Sequence, residues 1–217
     1  MTTTLSRRDL ATRRAPWAKR LASVLGRAGV QPNAVSLAGV VFAFGALAAF
    51  LLVPRAGRHW RAVLFVVAAM AIQLRLLCNL LDGMLAVESG LGTRTGELFN
   101  EIPDRVADVA ILAGAGLSIP SLPGGGALGC AAALAAMFTT YVRLLGGSLG
   151  VTQSFTGPMA KQHRMFVLTL AALASAIEAV AGAPAEAIRV ALAVIVSGAI
   201  ITAWRRISLI ARELEAR

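Results

Sequence analysis

From Ala34 to Val53 the chain runs for 20 residues without a charged side chain. A helix of roughly 20 apolar residues spans the hydrocarbon core of a bilayer. Backbone groups find no water there, so each such run must close its hydrogen bonds within itself, which a helix does and an open strand does not. Apolar runs of this kind recur along the sequence. The composition agrees, at 57% hydrophobic and 15% charged residues with mean hydropathy +0.73, too apolar for an ordinary soluble domain. The sequence predicts an all-α membrane protein with six transmembrane helices, preceded by an N-terminal amphipathic interfacial helix. The spans are expected at about 33–53, 62–87, 97–118, 127–145, 162–182 and 187–204. The expected organisation is a basic amphipathic juxtamembrane segment, 1–30, and one transmembrane domain, 31–217.

The net charge is +10. Nucleic acid is excluded as a partner, because the basic residues are not interleaved with aromatics as base stacking requires. Basic residues flanking spans instead meet anionic membrane lipids on the cytoplasmic side. With the N-terminus inside, 16 Lys and Arg fall on the cytoplasmic side and 4 on the other, with Arg75 left inside a span. Trp17, Leu21, Val24 and Leu25 repeat at helical spacing among the N-terminal arginines, the pattern of a helix in the headgroup layer; a disordered basic tail is the alternative. Trp17, Trp60 and Trp204 fall near expected interfaces. Cys78 and Cys130 make neither a disulfide framework nor a zinc site. The first 30 residues lack the continuous apolar core and small-residue cleavage site of a signal peptide.

Against this background one stretch stands apart. Residues 78–108 hold six of the eleven acidic residues: Asp82, Glu88, Glu97, Glu101, Asp104 and Asp108. Ionised carboxylates are costly at membrane depth unless they are paired or bind a cation. On a helix turning about 100° per residue, Asn79, Asp82, Gly83 and Ala86 share one face of the second span. Glu97, Asn100, Glu101, Asp104 and Asp108 share one face of the third. Two antiparallel helices joined by a short turn are neighbours, so the two faces converge into an oxygen-lined site. Oxygen ligands favour hard cations such as Mg²⁺ or Mn²⁺, and the small Gly83, Ala86 and Gly96 leave room for a ligand to approach the backbone. The alternative is that the acids pair with Arg75, Arg94 and Arg105 as intramembrane ion pairs.

The stretch resembles the signature of the CDP-alcohol phosphotransferase family, DxxDGxxAR, eight residues, then GxxxDxxxD. Here the positions read Asn79, Asp82, Gly83, Ala86 and Val87, then Gly96, Asn100 and Asp104, with matching spacing. Pro32-Asn33 before the first span is similar to the family's usual entry. The departures are Asn79 and Asn100 in place of two acids and Val87 in place of the arginine. They cut four formal negative charges to two and remove a nucleotide contact, for which Arg94 is the candidate substitute.

The resemblance implies a six-helix membrane transferase. It would move a phosphatidyl group from a CDP-linked donor, CDP-diacylglycerol or another CDP-alcohol, to a hydroxyl of an alcohol acceptor, phosphorylated or not, releasing CMP. It implies Mg²⁺ or Mn²⁺ held by Asn79, Asp82, Asn100 and Asp104, with Asp104 also the catalytic base. Gly83, Ala86, Arg94 and Gly96 would line the nucleotide, while Arg105, Arg143, Lys161 and Arg164 could hold an acidic acceptor. A homodimer is implied as well. A catalytically inactive member that binds CDP-lipid or serves as an interaction partner stays open. A cation transporter using the same acids is disfavoured by the fixed glycines.

Overall fold

The computed structural model describes residues 15–88, 96–119, 124–152 and 155–217, with the side chains of Val87, Glu88, Gly96, Glu97, Phe99 and Asn100 outside that description. Among the described residues the chain is all helical. The helices are α1 (Pro16–Arg27), α2 (Pro32–Leu52), α3 (Arg58–Glu88), α4 (Gly96–Leu117), α5 (Gly125–Ser148), α6 (Lys161–Ala181) and α7 (Glu186–Glu215), with a single 3₁₀ turn at Val53–Arg55.

Punctuation in the sequence sets several boundaries. α1 ends where Gly29 adopts φ 73°, a left-handed cap that suits glycine. The Val30 amide there returns to the Leu25 carbonyl at 3.0 Å. Pro32 then opens α2 at its first position, where its missing N–H costs nothing. Pro54 lies in the 3₁₀ turn that closes α2. The expected second span starts late: α3 begins at Arg58 rather than about 62, because Arg58 itself packs on the bundle, its Nε donating to the Ala179 carbonyl at 3.3 Å. α7 continues to Glu215, 11 residues past the expected end of the sixth span, absorbing the amphipathic tail.

α3 packs on α2 and α6, α4 lies against α2 and α5, and α7 closes the bundle on α5 and α6. Small side chains take many interior positions, with Ala43, Ala46, Ala68, Ala132 and Ala172 all fully buried beside larger ones such as Phe50 and Ile111. Large apolar side chains also cover the outside, with Leu37, Leu134 and Ile177 at 64%, 70% and 73% exposed. A soluble protein does not expose so many. Hydrocarbon offers no hydrophobic drive to bury Leu, so helices in lipid gain by close backbone approach over small residues. The protein is an integral membrane protein on this pattern and on five helices long and apolar enough to cross a bilayer: α2, α3, α5, α6 and α7. α4 is 22 residues long but carries Glu101, Asp104, Arg105 and Asp108 before its last turns.

A close backbone approach joins α4 to α5. A Cβ on Gly116 would lie 2.5 Å from the Gly125 carbonyl oxygen and 2.6 Å from the Gly129 Cα. Only glycine lets the two backbones meet there.

α1 lies against α3, with Ala18 and Ala22 buried and Leu21 and Leu25 packed beside them. Trp17 and Val24, half exposed, face away. The apolar stripe expected along this helix is therefore divided between the protein and its surroundings.

Candidate active site

The polar face of α3 is set by helical spacing. Arg75, Asn79 and Asp82 follow one another at intervals of four and three residues, so they stack along one side. α4 does the same with Glu101, Asp104, Arg105 and Asp108. The two faces meet, and α6 adds Lys161 and Arg164 from its first turn.

Asp104 is the centre of the cluster. Its Oδ1 accepts from Arg75 Nη2 at 3.1 Å and from Asn79 Nδ2 at 2.9 Å. Its Oδ2 accepts from Lys161 Nζ, which also donates to Asn79 Oδ1 at 2.8 Å. Asp108, almost fully buried, lies one turn deeper between two guanidinium groups. Its Oδ1 takes Arg75 Nη2 at 2.9 Å and its Oδ2 takes Arg164 Nη2 at 3.0 Å. Nearer the rim, Glu101 binds Arg143 at 2.7 Å and Arg105 at 3.3 Å. Arg105 also donates to Thr140 Oγ1 at 2.6 Å, and the Arg143 guanidinium lies 5.3 Å from the centre of the Phe155 ring.

Asp82 is placed differently. It is 4% exposed. Ser36 Oγ of α2 donates to its Oδ2 at 2.7 Å, while its Oδ1 is buried without a hydrogen-bond partner among the described residues. Asp82, Asn79, Asp104, Arg75 and Ser36 line one small cavity of about 10 Å³, room for a single water-sized particle. An unpartnered buried carboxylate oxygen carries a large desolvation cost. A hard cation is the partner its chemistry suits. The donor set fits one such ion at Asp82. Among the described residues no three carboxylate, imidazole or thiol side chains gather as a ligand set, and the oxygens of Asp104 are already taken by nitrogen donors.

The site residues expected from sequence thus divide. Asn79, Asp82, Asp104, Arg105, Arg143 and Lys161 come together. Gly83 and Ala86 lie on α3 beside Asp82. Gly96 and Asn100 lie in the first turns of α4, with the Asn100 side chain outside the described residues. Arg94 and the side chains of Glu88 and Glu97 lie outside what is described. The ion-pair alternative is realised in part, through Arg75 and Arg105.

Ser36 carried no assignment in the sequence reading; Arg75 entered it only through the ion-pair alternative, Asp108 only as a member of the polar face, and Arg164 as a residue to hold the acceptor. Ser36 orients Asp82; a lone serine in an apolar span gave no signal. Arg75 left a signal, since an arginine inside a span demands a partner. Asp108 left the same signal. Arg164 points inward to Asp108 and to the Met159 carbonyl at 3.0 Å, which makes it a buried strut.

No family model matches the chain. It is 32% identical over 116 residues to the inner membrane protein YnbA of Escherichia coli, covering 53% of this chain and 56% of that protein. It is 38% identical over 94 residues to the phosphatidylinositol phosphate synthase of Mycobacteroides abscessus, covering 43% and 39%. The chain therefore spans about half the length, or less, of these relatives. A longer match, 27% identical over 199 residues and covering 88% and 77%, joins it to the phosphatidylinositol phosphate synthase of Streptomyces avermitilis.

Among solved structures, the Mycobacterium tuberculosis phosphatidylinositol phosphate synthase in complex with manganese and citrate has TM-score 0.73 at 20% identity, covering 89% of this chain and 88% of that one. The same synthase with CDP-DAG bound gives 0.72 at 20%, covering 90% and 94%. At that identity the likeness establishes the fold, a helical membrane bundle shared with these synthases. The chain is thus similar in fold to these synthases, and in sequence to relatives named phosphatidylinositol phosphate synthase.

Proposed function

We propose that this protein is a CDP-alcohol phosphatidyltransferase of phospholipid biosynthesis, moving a phosphatidyl group from CDP-diacylglycerol to a hydroxyl of an alcohol acceptor with release of CMP. The observation that carries the reading is the convergence of the signature positions Asn79, Asp82 and Asp104 on one cavity. The structural relative solved with CDP-DAG and the relatives named phosphatidylinositol phosphate synthase support the donor and an inositol phosphate-like acceptor.

In the proposed reaction the acceptor oxygen attacks the lipid-side phosphorus of the donor. A new O–P bond forms, the P–O bond to CMP breaks, and CMP leaves with the electron pair. Asp104 takes the hydroxyl proton. For that its Oδ2 must exchange Lys161 for the acceptor, a movement the flexible lysine stem allows. Arg105 and Arg143 at the rim, with Lys161, would hold an anionic group on the acceptor. Gly83, Ala86, Gly96 and Arg94 are proposed to line the nucleotide. Asp82, with Asn79, Asn100 and Asp104, would hold Mg²⁺ or Mn²⁺. When bound, such an ion draws charge from the pyrophosphate and eases departure of CMP.

The reading extends to the whole molecule. α4 is taken as a further span, the third in chain order, which makes six, α1 and the residues before it as an interfacial segment on anionic lipid, and the site as facing the cytoplasm. The excess of Lys and Arg on that side supports this. A homodimer is proposed by analogy with the family.

The test is CMP release from CDP-diacylglycerol by purified protein across a panel of polyol and phosphorylated acceptors. Release is expected with Mn²⁺ or Mg²⁺ and not with chelator. Asp104→Ala should lose about 10²-fold or more; full activity in that variant would remove Asp104 as the base. The second reading, a non-catalytic binder of CDP-lipid, draws on the complete engagement of Asp104 by Arg75, Asn79 and Lys161. It predicts CDP-dependent thermal stabilisation with no CMP from any acceptor.

A further inference from the structure

Position 79 and Lys161 are matched to each other. The Asn79 amide uses both ends: its Nδ2 donates to Asp104 Oδ1 at 2.9 Å, and its Oδ1 accepts from Lys161 Nζ at 2.8 Å. Lys161 closes the ring on Asp104 Oδ2. An aspartate at 79 has no N–H to give Asp104, and would place two carboxylates in contact. Such a pair repels unless positive charge lies between the two groups. The amide removes that need.

The surrounding charge points the same way. Asp104 already faces Arg75 at 3.1 Å and Arg105 at 3.8 Å, so a second divalent ion beside it would meet three fixed cations at short range. Asp82 Oδ1, at the other end of the cavity, has no partner among the described residues. The site thus has one half neutralised from within and one half open to a metal.

We propose that, until an acceptor displaces it, the Lys161 ammonium is a tethered cation in the place of a divalent ion between Asn79 and Asp104, leaving Asp82 to anchor the remaining metal. The inference rests on the transferase reading for what that metal does, but the number of ions is independent of turnover. Unlike a metal, this cation cannot be removed by a chelator.

The experiment counts Mn²⁺ bound per chain at saturation, by the electron paramagnetic resonance signal of the free ion, on the full chain in lipid nanodiscs. The wild type is expected to hold one ion, and Asp82→Asn none. Lys161→Met/Asn79→Asp should hold one more than the wild type. A wild-type count of two overturns the proposal, as does a double variant that binds no more than the wild type.

Should the double variant not fold, Lys161→Met alone decides. It should melt below the wild type in EDTA and recover part of the loss with Mn²⁺. No recovery overturns the proposal. Failure of the transferase reading shows separately, as absent CMP release while the Mn²⁺ counts stand.

Discussion

Arg75 is 1% exposed and reaches both Asp104 and Asp108 through one terminal nitrogen. Removing one partner from such a buried set leaves the others unmatched, a loss of about 3–5 kcal/mol. Arg75→Met should therefore lower the melting temperature of the purified protein, with Asp108→Asn restoring part of the loss by withdrawing one stranded charge. If the pair melts no higher than Arg75→Met alone, the ion pairs are not what the arginine supplies.

At this scale the sequence was only partly legible. Spacing brought Asn79, Asp82 and Asp104 to one place, because helix periodicity fixes which residues share a face. It could not decide where long side chains point. Arg164 was expected to hold an acidic acceptor and Arg206 counted only among the cytoplasmic basic residues, yet both turn inward, Arg206 to the Thr139 carbonyl at 2.7 Å. Glu178 gave no sign of a role and accepts from the Ala187 amide at 3.2 Å at the start of α7, where a carboxylate meets unpaired amides and the helix dipole. Such partners come from helices far away in sequence.

At the scale of the element, α4 is the helix that matters most. Its earlier turns carry the charges of the site, and its last turns lie backbone to backbone on α5 at Gly116 and Gly129. A Cβ on Gly129 would lie 2.8 Å from the Gly116 Cα and 2.9 Å from the Leu112 carbonyl. Gly129→Leu should force α4 and α5 apart and cost about 1–3 kcal/mol or more. Gly45, where an added Cβ meets nothing within 4 Å, provides the control. Gly45→Leu should melt at or above the wild type, since leucine is the better helix former. Equal losses in both would mean that the close contact contributes nothing. Helix positions were legible from hydropathy, whereas the bounds of α3 and α7 were not. Arg58 and the C-terminal tail are polar enough to read as outside the bilayer but continue their helices because each finds partners on neighbouring elements.

At the scale of the molecule, six spans would put both ends of the chain on one side. A C-terminal alkaline phosphatase fusion, active only when exported, should then be inactive in a bacterial host, and a fluorescent protein at the same point should glow. An active phosphatase fusion would remove either α4 as a span or the cytoplasmic orientation. The buried alanines and outward leucines set the bundle apart from a soluble one. Composition foretold the membrane, but not which face of each helix would meet it.

The salt links of Asp108 also bear on how the protein is made. As a span, α4 would enter the membrane carrying charges that hydrocarbon does not tolerate alone. Arg75 precedes it on α3, but Arg164 follows Asp108 by 56 residues. Until α6 had been made, Asp108 would lack its Arg164 partner. On the six-span reading α4 would then wait beside α3 until α6 arrived to complete its ion pairs.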